Sequence, residues 1–145
     1  MRMTARPTAA YGSSMDRTTA QRWLDSYVAA WLSYEPEAIG ALFSDDVEYR
    51  YHPSDEPIVG RAAVVASWLG ESEAEGASTR DAPGTYEAAY APIAVDGDVV
   101  VATGTSTYRE APDGPVAKIY DNCFVIRFDA DGRCRAFTEY YVKRA

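Results

Sequence analysis

The sequence predicts an α+β domain in which a curved antiparallel sheet wraps around N-terminal helices. Apolar residues follow a helical period from Thr18 onward, whereas the second half of the chain alternates in long segments rich in β-formers. Asp-Gly pairs separate these segments and suit tight hairpin turns. Helices that precede an antiparallel meander indicate a sheet that packs its concave face onto the helices.

Three helices are predicted in the first half of the chain. The first begins at Thr18, where Thr18 and Gln21 fit a capping box, and it ends at Glu35. Pro36 is well placed as the first residue of a second, short helix. The third helix follows Gly60. The inward side chains expected from helical spacing are Ala20, Trp23, Leu24, Tyr27, Val28, Trp31, Tyr34, Ile39, Leu42, Phe43, Val64, Val65, Trp68 and Leu69.

Five strands are predicted. The first covers residues 47–52, and the others cover 85–95, 99–108, 116–128 and 134–142. The pairs at residues 96–97, 113–114 and 131–132 are each Asp-Gly and suit a positive φ. Pro92 lacks an amide hydrogen and must therefore lie at a sheet edge or a bulge.

The chain is expected to form one domain over residues 16–145, preceded by a flexible extension over residues 1–15. The extension is polar and holds no apolar stretch long enough for a signal peptide or a membrane span. Residues 71–82 are acidic, have no hydrophobic period and are predicted to form a mobile loop.

The net charge limits the classes of partner that the protein can bind, and the cysteine content indicates its cellular compartment. Fourteen Lys and Arg against 22 Asp and Glu give a net charge of −8, which argues against nucleic acid and anionic membranes. Cys123 and Cys134 fall out of register on successive strands, so they are predicted to be free thiols in a reducing, cytoplasmic compartment. With one histidine and no Cys/His cluster, neither a metal nor another cofactor is expected.

Four short segments, in this order, resemble the nuclear transport factor 2-like superfamily in its SnoaL-like branch. They are SYVAAW at 26–31, ALFSDDV at 41–47, PIVGR at 57–61 and FDADGR at 128–133. The resemblance implies a cone-shaped α+β barrel with an internal pocket, and a homodimer assembled through the sheet. The family includes ketosteroid isomerase, polyketide cyclases, scytalone dehydratase and limonene epoxide hydrolase, together with binding domains that have no catalysis.

Three residues are candidates for catalysis. Tyr27 matches the family tyrosine that donates to a developing oxyanion, and His52 falls where the isomerase carries its general base. Glu139 shares an inward face with Phe137 and Tyr141, where an unpaired carboxylate has a raised pKa and can act as acid or base or orient His52. Each residue has an alternative structural role. Tyr27 would be a core side chain, His52 would be exposed at the end of a strand, and Glu139 would form an ion pair with Arg50 or Arg109.

Alternation on the strand over residues 116–128 directs Asn122 and Phe124 inward. Phe124 stands where the resemblance places a protonated aspartate, which argues against ketosteroid isomerisation itself. On the first strand, either Glu48 and Arg50 face inward or, if a bulge reverses the alternation, Tyr49 and Tyr51 do. A bulge would likewise turn Asp121 inward, although it lies on the opposite strand face from Asn122. The predicted substrate-binding residues are Asn122, Trp31, Trp68, Tyr120, Phe124, Tyr141 and Phe137.

Two functions remain open at this point. The first is a cofactor-independent isomerase, cyclase or dehydratase that binds a small, neutral, hydrophobic or polycyclic molecule and moves a proton through His52. The second is a ligand-binding or dimeric accessory domain that uses the same aromatic cavity without proton transfer. A homodimer is expected in both cases because Cys123 and Val125 form an outward apolar row.

Overall fold

The computed structural model describes residues 15–71 and 80–145. The fold is α+β, as predicted: three helices precede and interrupt a curved six-stranded sheet. The elements are α1 (Arg17–Ser33), α2 (Pro36–Gly40), β1 (Phe43–Arg50), β2 (Ile58–Val59), α3 (Arg61–Trp68), β3 (Tyr86–Asp96), β4 (Val99–Arg109), β5 (Val116–Phe128) and β6 (Cys134–Lys143). Most of the extension and of the predicted mobile loop lies outside the described residues. Met15, which the prediction assigns to the extension, is buried in the core.

The N-cap of helix α1 lies two residues before the predicted cap Thr18. Asp16 is the N-cap, and its carboxylate accepts a hydrogen bond from the Thr19 amide at 2.7 Å. The predicted capping box is therefore wrong: the Gln21 amide instead donates to Asp25 and to the Tyr90 carbonyl. That last bond ties α1 to the edge strand β3. Pro36 does begin α2, as expected.

The sheet has the strand order β2-β1-β6-β5-β4-β3 and is not closed into a barrel. Strands β3 to β6 form the predicted antiparallel meander, but β1 pairs with β6 in parallel, so the sheet is mixed. Strand β1 lies beside the last strand of the meander, β6, so the first and last long strands of the chain are neighbours in the sheet. Pro92 satisfies both predicted conditions, since β3 is an edge strand whose register shifts between Pro92 and Ala94.

The hairpin turns show the expected backbone. Gly97 and Gly132 have φ of 60° and 77°, but in the turn between β4 and β5 it is Asp113 that takes the positive φ, at 59°. Gly104 on β4 has a different function: a Cβ there would collide with the Ala89 carbonyl and the Tyr90 ring. The absence of a side chain lets Tyr90 lie flat against β4.

An aromatic core joins α1 to the concave face of the sheet. The Tyr27 ring stacks on Phe137 with 5.5 Å between centroids, and the Tyr49 ring stacks on Phe137 from the other side at 4.7 Å. Both cysteines are free thiols, and Cys134 is buried opposite Phe43. Large aromatic side chains thus fill the space between α1 and the concave face of the sheet around Phe137.

Candidate active site

A cavity of about 270 Å³ lies between α1 and the concave face of the sheet. Five strands and the C-terminal half of α1 contribute to its wall, and most of the lining side chains are tyrosines. Such a volume is at the lower end of small-molecule sites, so it suits a compact ligand. The lining residues are Tyr27, Trp31, Tyr49, Tyr51, His52, Asp81, Tyr86, Tyr90, Ser106, Tyr108, Lys118, Tyr120, Asn122, Glu139 and Tyr141.

Glu139 is a half-buried carboxylate on the cavity wall. The Asn122 amide donates to it at 2.8 Å, and the Ser106 hydroxyl in turn donates to the Asn122 carbonyl oxygen at 3.0 Å. These bonds are possible because residues 106, 122 and 139 face the same side of β4, β5 and β6 as diagonal neighbours, each two residues away from the direct cross-strand partner. They fix the Glu139 side chain at a single position in the wall.

Burial raises the pKa of Glu139 to about 7, even though the Asn122 hydrogen bond and the nearby His52 both act to lower it. No Lys or Arg of the described residues pairs with this carboxylate. The alternative of an ion pair with Arg50 or Arg109 is therefore wrong: Arg50 donates to the Asp55 carbonyl, and Arg109 pairs with Glu87 at 2.9 Å. A carboxyl group that titrates near neutral pH can both accept and return a proton.

Two buried phenols face the same cavity. Burial raises the pKa of both Tyr27 and Tyr49 well above the ordinary value of 10.0, and the negative charge of Glu139 acts in the same direction. Both hydroxyls therefore stay protonated and able to donate. The Tyr49 hydroxyl is buried beside Tyr27 and Trp68, whose hydrogen-bonding groups act to lower its pKa. It makes no hydrogen bond of regular geometry among the described residues, so a hydrogen-bonding ligand atom would satisfy it better.

His52 lies at the mouth of the cavity, just beyond the end of β1. Its Nδ1 is 3.0 Å from the Asp55 carboxylate, and its Nε2 is 2.6 Å from the Tyr141 hydroxyl. The side chain is 46% exposed. The histidine thus contacts both the solvent and the cavity, and it does not simply point away from the protein.

A row of aromatic rings forms the rim beside His52. Tyr86, Tyr108, Tyr120 and Tyr141 come from four adjacent strands, and the centroids of successive rings are 5.2, 5.8 and 5.1 Å apart. The Lys118 ammonium lies 4.9 Å from the centre of the Tyr108 ring. Successive rings are inclined at 52°, 89° and 84°, so the rim is a row of tilted and edge-to-face aromatic rings with one cation beside it.

Asp81 closes the wall next to α1. Its Oδ2 accepts a hydrogen bond from the Trp31 indole at 2.8 Å, and its backbone amide donates to the Tyr34 hydroxyl at 2.7 Å. Tyr34 has a left-handed backbone, with φ of 52°, at the end of α1. These contacts hold the residues that follow the undescribed segment 72–79 against the helix.

Of the predicted site residues, seven line the cavity: Tyr27, Trp31, His52, Tyr120, Asn122, Glu139 and Tyr141. Trp68, Phe124 and Phe137 do not line it. They are at most 1% exposed and pack behind the wall, where each contacts the Tyr27 ring. Alternation predicts the strand face of Phe124 and Phe137 correctly, but not that the aromatic side chains in front of them would cover them.

The ambiguity on β1 is resolved in favour of the tyrosines. Tyr49 and Tyr51 face the cavity, whereas Glu48 is exposed and pairs with Val59 of β2. Asp121 lies on the outer face, where it pairs with Arg144 at 2.9 Å. Sequence reasoning did not single out Asp81, Ser106 or Lys118. For Ser106 a signal exists, since strand alternation places it on the same face of β4 as Tyr108.

The described residues hold no group of three or more His, Cys, Asp or Glu side chains that could bind a metal ion. None of the helices in the described part of the chain is both long and apolar enough to cross a membrane.

Comparison with known proteins supports the architecture. The family model of the SnoaL-like domain matches residues 24–137. Among solved structures, the chain is similar to a candidate ketosteroid isomerase from Kribbella flavida DSM 17836, with a TM-score of 0.59 and 16% identity over 90% of this chain and 82% of that one. At that identity the similarity shows the fold alone. A search of curated proteins found no match.

Proposed function

The chain belongs to the family of SnoaL-like domains, and from this premise we propose that it is a cofactor-independent isomerase, cyclase or dehydratase that acts by proton transfer. Its substrate is a compact, neutral, hydrophobic or aromatic molecule. One observation carries the proposal: a carboxylate with a pKa of about 7, Glu139, lies in the wall of an aromatic cavity and is held there by Asn122.

Glu139 is the proposed acid and base. A base is most effective when its pKa is close to the working pH, because it is then both ionised and basic enough to remove a proton. Asn122 supports this role as a positioning residue. Its carbonyl oxygen accepts from Ser106 and its amide nitrogen donates to Glu139, so it links the carboxylate to β4.

Tyr27 is the proposed oxyanion donor. Removing a proton next to a carbonyl places negative charge on the carbonyl oxygen, and a phenol that stays protonated can donate to it. Tyr49 is a second donor of the same kind, since its buried hydroxyl lies beside Tyr27 and makes no hydrogen bond of regular geometry within the described part of the protein. Both rings are held rigidly by stacking on Phe137, which keeps the donors in place before the substrate arrives.

Kemp elimination tests the proposal without knowledge of the natural substrate. The probe, 5-nitrobenzisoxazole, is compact, neutral and aromatic, and it reports proton removal from carbon by releasing a coloured phenolate. We expect the wild-type kcat/KM to rise with pH through an inflection at about 7, as Glu139 ionises. Glu139→Gln should lower the rate by about 100-fold or more.

Glu48→Gln is the matched control, because Glu48 is exposed on β1 and lies outside the cavity. It should leave the rate unchanged. A wild-type rate no faster than the buffer reaction, or equal rates for the wild type and Glu139→Gln, contradicts the proposal. Binding of the probe without turnover would then favour the accessory-domain alternative.

We further propose that the protein is a cytoplasmic homodimer that associates through the outer face of the sheet. Tyr140 and Val142 are 46% and 70% exposed there, next to the half-buried Cys123 and Val125. Light scattering should give twice the chain mass for the wild type and the chain mass for Val142→Lys. A wild-type monomer contradicts this assembly.

A further inference from the structure

Three side chains form a hydrogen-bonded row at the cavity mouth. The Asp55 carboxylate is 3.0 Å from His52 Nδ1, and the Tyr141 hydroxyl is 2.6 Å from His52 Nε2. Asp55 and His52 belong to the turn after β1, which is closed by a bond from the Asp55 amide to the His52 carbonyl at 3.1 Å. Tyr141 comes from β6, 89 residues further along the chain.

The carboxylate decides which nitrogen of His52 carries the proton. An oxygen acceptor beside Nδ1 keeps the proton on Nδ1, so in the neutral imidazole Nε2 accepts from the Tyr141 hydroxyl. When the imidazole gains a second proton, Nε2 becomes a donor to the Tyr141 oxygen. The Tyr141 O–H is then released from His52 and can donate into the cavity that it lines.

We infer that Tyr141 is a general acid of this site and that His52 and Asp55 are positioning residues that resupply its proton. The inference rests on the proposed function, because it gives the cavity an acid to work with the base Glu139. Elimination, dehydration and cyclisation all need both groups: one takes a proton from carbon, and the other gives one to the departing or developing oxygen.

The charged and titratable groups around the row are consistent with Glu139 as the base and Tyr141 as the acid. Glu139 lies two residues before Tyr141 on the same face of β6, and Tyr120 packs against the Tyr141 ring from β5 at 5.1 Å. Asp55 faces His52 from its own turn. Burial, Glu139, Tyr120 and Asp55 all raise the pKa of Tyr141, so the phenol remains a proton donor at neutral pH.

The step balances for a benzisoxazole probe. The Glu139 carboxylate takes the proton from C3, and the C–H electron pair forms the third bond of the nitrile. The N–O bond breaks, and its electron pair leaves on oxygen, which takes the Tyr141 proton. Tyr141 takes a proton from the His52 imidazolium. The product is a cyanophenol, and solvent then removes the proton from Glu139 and returns one to His52.

Comparing two probes separates the acid from the base. The oxygen released from 5-nitrobenzisoxazole is stabilised by the nitro group and needs little help, whereas that of unsubstituted benzisoxazole needs a proton. We expect Tyr141→Phe to slow the unsubstituted probe by about 100-fold and the nitro probe by less than about tenfold. His52→Gln and Asp55→Asn should show the same selectivity, which a purely structural role would not produce.

Tyr140→Phe is the matched control, because Tyr140 is the next residue on β6, lies outside the cavity and is 46% exposed. It should leave both rates unchanged. Equal losses on the two probes in Tyr141→Phe contradict the inference while leaving the proposed function intact. Loss of both rates in Glu139→Gln, by contrast, supports Glu139 as the base of the proposed function and does not bear on Tyr141.

A measurement without turnover keeps the inference testable if both probes react too slowly. His52 is the single histidine of the chain, so its two ring ¹⁵N signals need no assignment between residues. In the wild type at high pH, Nδ1 should carry the proton and Nε2 should show the shift of a hydrogen-bonded acceptor. Tyr141→Phe should move the Nε2 signal, and Tyr140→Phe should not. An unchanged Nε2 signal in Tyr141→Phe overturns the inference.

Discussion

Replacing Glu139 with Gln is expected to stabilise the protein at neutral pH while it abolishes proton transfer. The carboxylate is held in the cavity wall at the cost of a pKa raised from its ordinary value of 4.5 to about 7. Glutamine has the same shape and keeps an oxygen for the Asn122 amide, so the substitution removes the charge and little else.

The magnitude follows from proton linkage. Each tenfold change in proton affinity corresponds to about 1.4 kcal/mol, so the rise in pKa from 4.5 to about 7 represents about 3.5 kcal/mol at most. Solvent at the cavity mouth screens part of this, which leaves an expected effect of about 1–2 kcal/mol.

The direction of the pH dependence is fixed. Between pH 4.5 and about 7 the folded protein holds a proton on Glu139 that the unfolded chain has lost, so folding becomes less favourable as the pH rises. Below that window the wild type and Glu139→Gln should be equally stable. Above it, Glu139→Gln should be the more stable protein.

Urea denaturation from pH 4 to 8, followed by tryptophan fluorescence, measures this difference directly. Glu48→Gln is the control, because its side chain is exposed, and its stability should track that of the wild type at every pH. A constant difference between Glu139→Gln and the wild type across the pH range would refute the argument that burial raises the pKa of Glu139.

Three further substitutions test the packing. Tyr49→Phe should change the free energy of unfolding by less than about 1 kcal/mol, because the hydroxyl it removes is buried beside Tyr27 and Trp68 without a hydrogen bond of regular geometry; a larger loss of stability in urea contradicts this weak bonding. Asp16→Ala should cost about 1 kcal/mol through the lost bond to Thr19, and an unchanged midpoint contradicts Asp16 as the cap. Gly104→Ala should cost about 1–3 kcal/mol or more, since its Cβ meets backbone. Gly40→Ala, whose Cβ meets only side-chain atoms at 3.6 Å or more, should cost less, and equal costs refute the close approach.

Much of the sheet was predictable because its signals are local. The predicted strand over residues 116–128 agrees with β5 at both ends, since alternation and the flanking turns act within a few residues. The same alternation places Asn122 and Glu139 on the concave face. Parallel pairing of β1 with β6 was not predictable, because no local signal states which distant strand a short segment will join.

The errors at the site also have physical causes. Strand β1 covers Phe43–Arg50 and its register against β6 shifts between Phe43 and Glu48. Because the strand ends before His52, alternation counted back from His52 does not show which of its residues face the cavity. His52 reaches the cavity because the chain turns after Arg50, not because of its strand parity. Asp81 carried no signal at all, since its partners Trp31 and Tyr34 are 50 and 47 residues away.

The ionisation of Glu139 is the central claim, and ¹³C NMR of its side-chain carboxyl carbon measures it most directly. Protein labelled at glutamate is titrated from pH 3 to 9, and the Glu139 signal is assigned by its loss in Glu139→Gln. The account predicts a midpoint at about pH 7. A midpoint at the ordinary value of 4.5 would contradict it, because Glu139 would then be a permanently charged group with too little basicity for the proposed proton transfer.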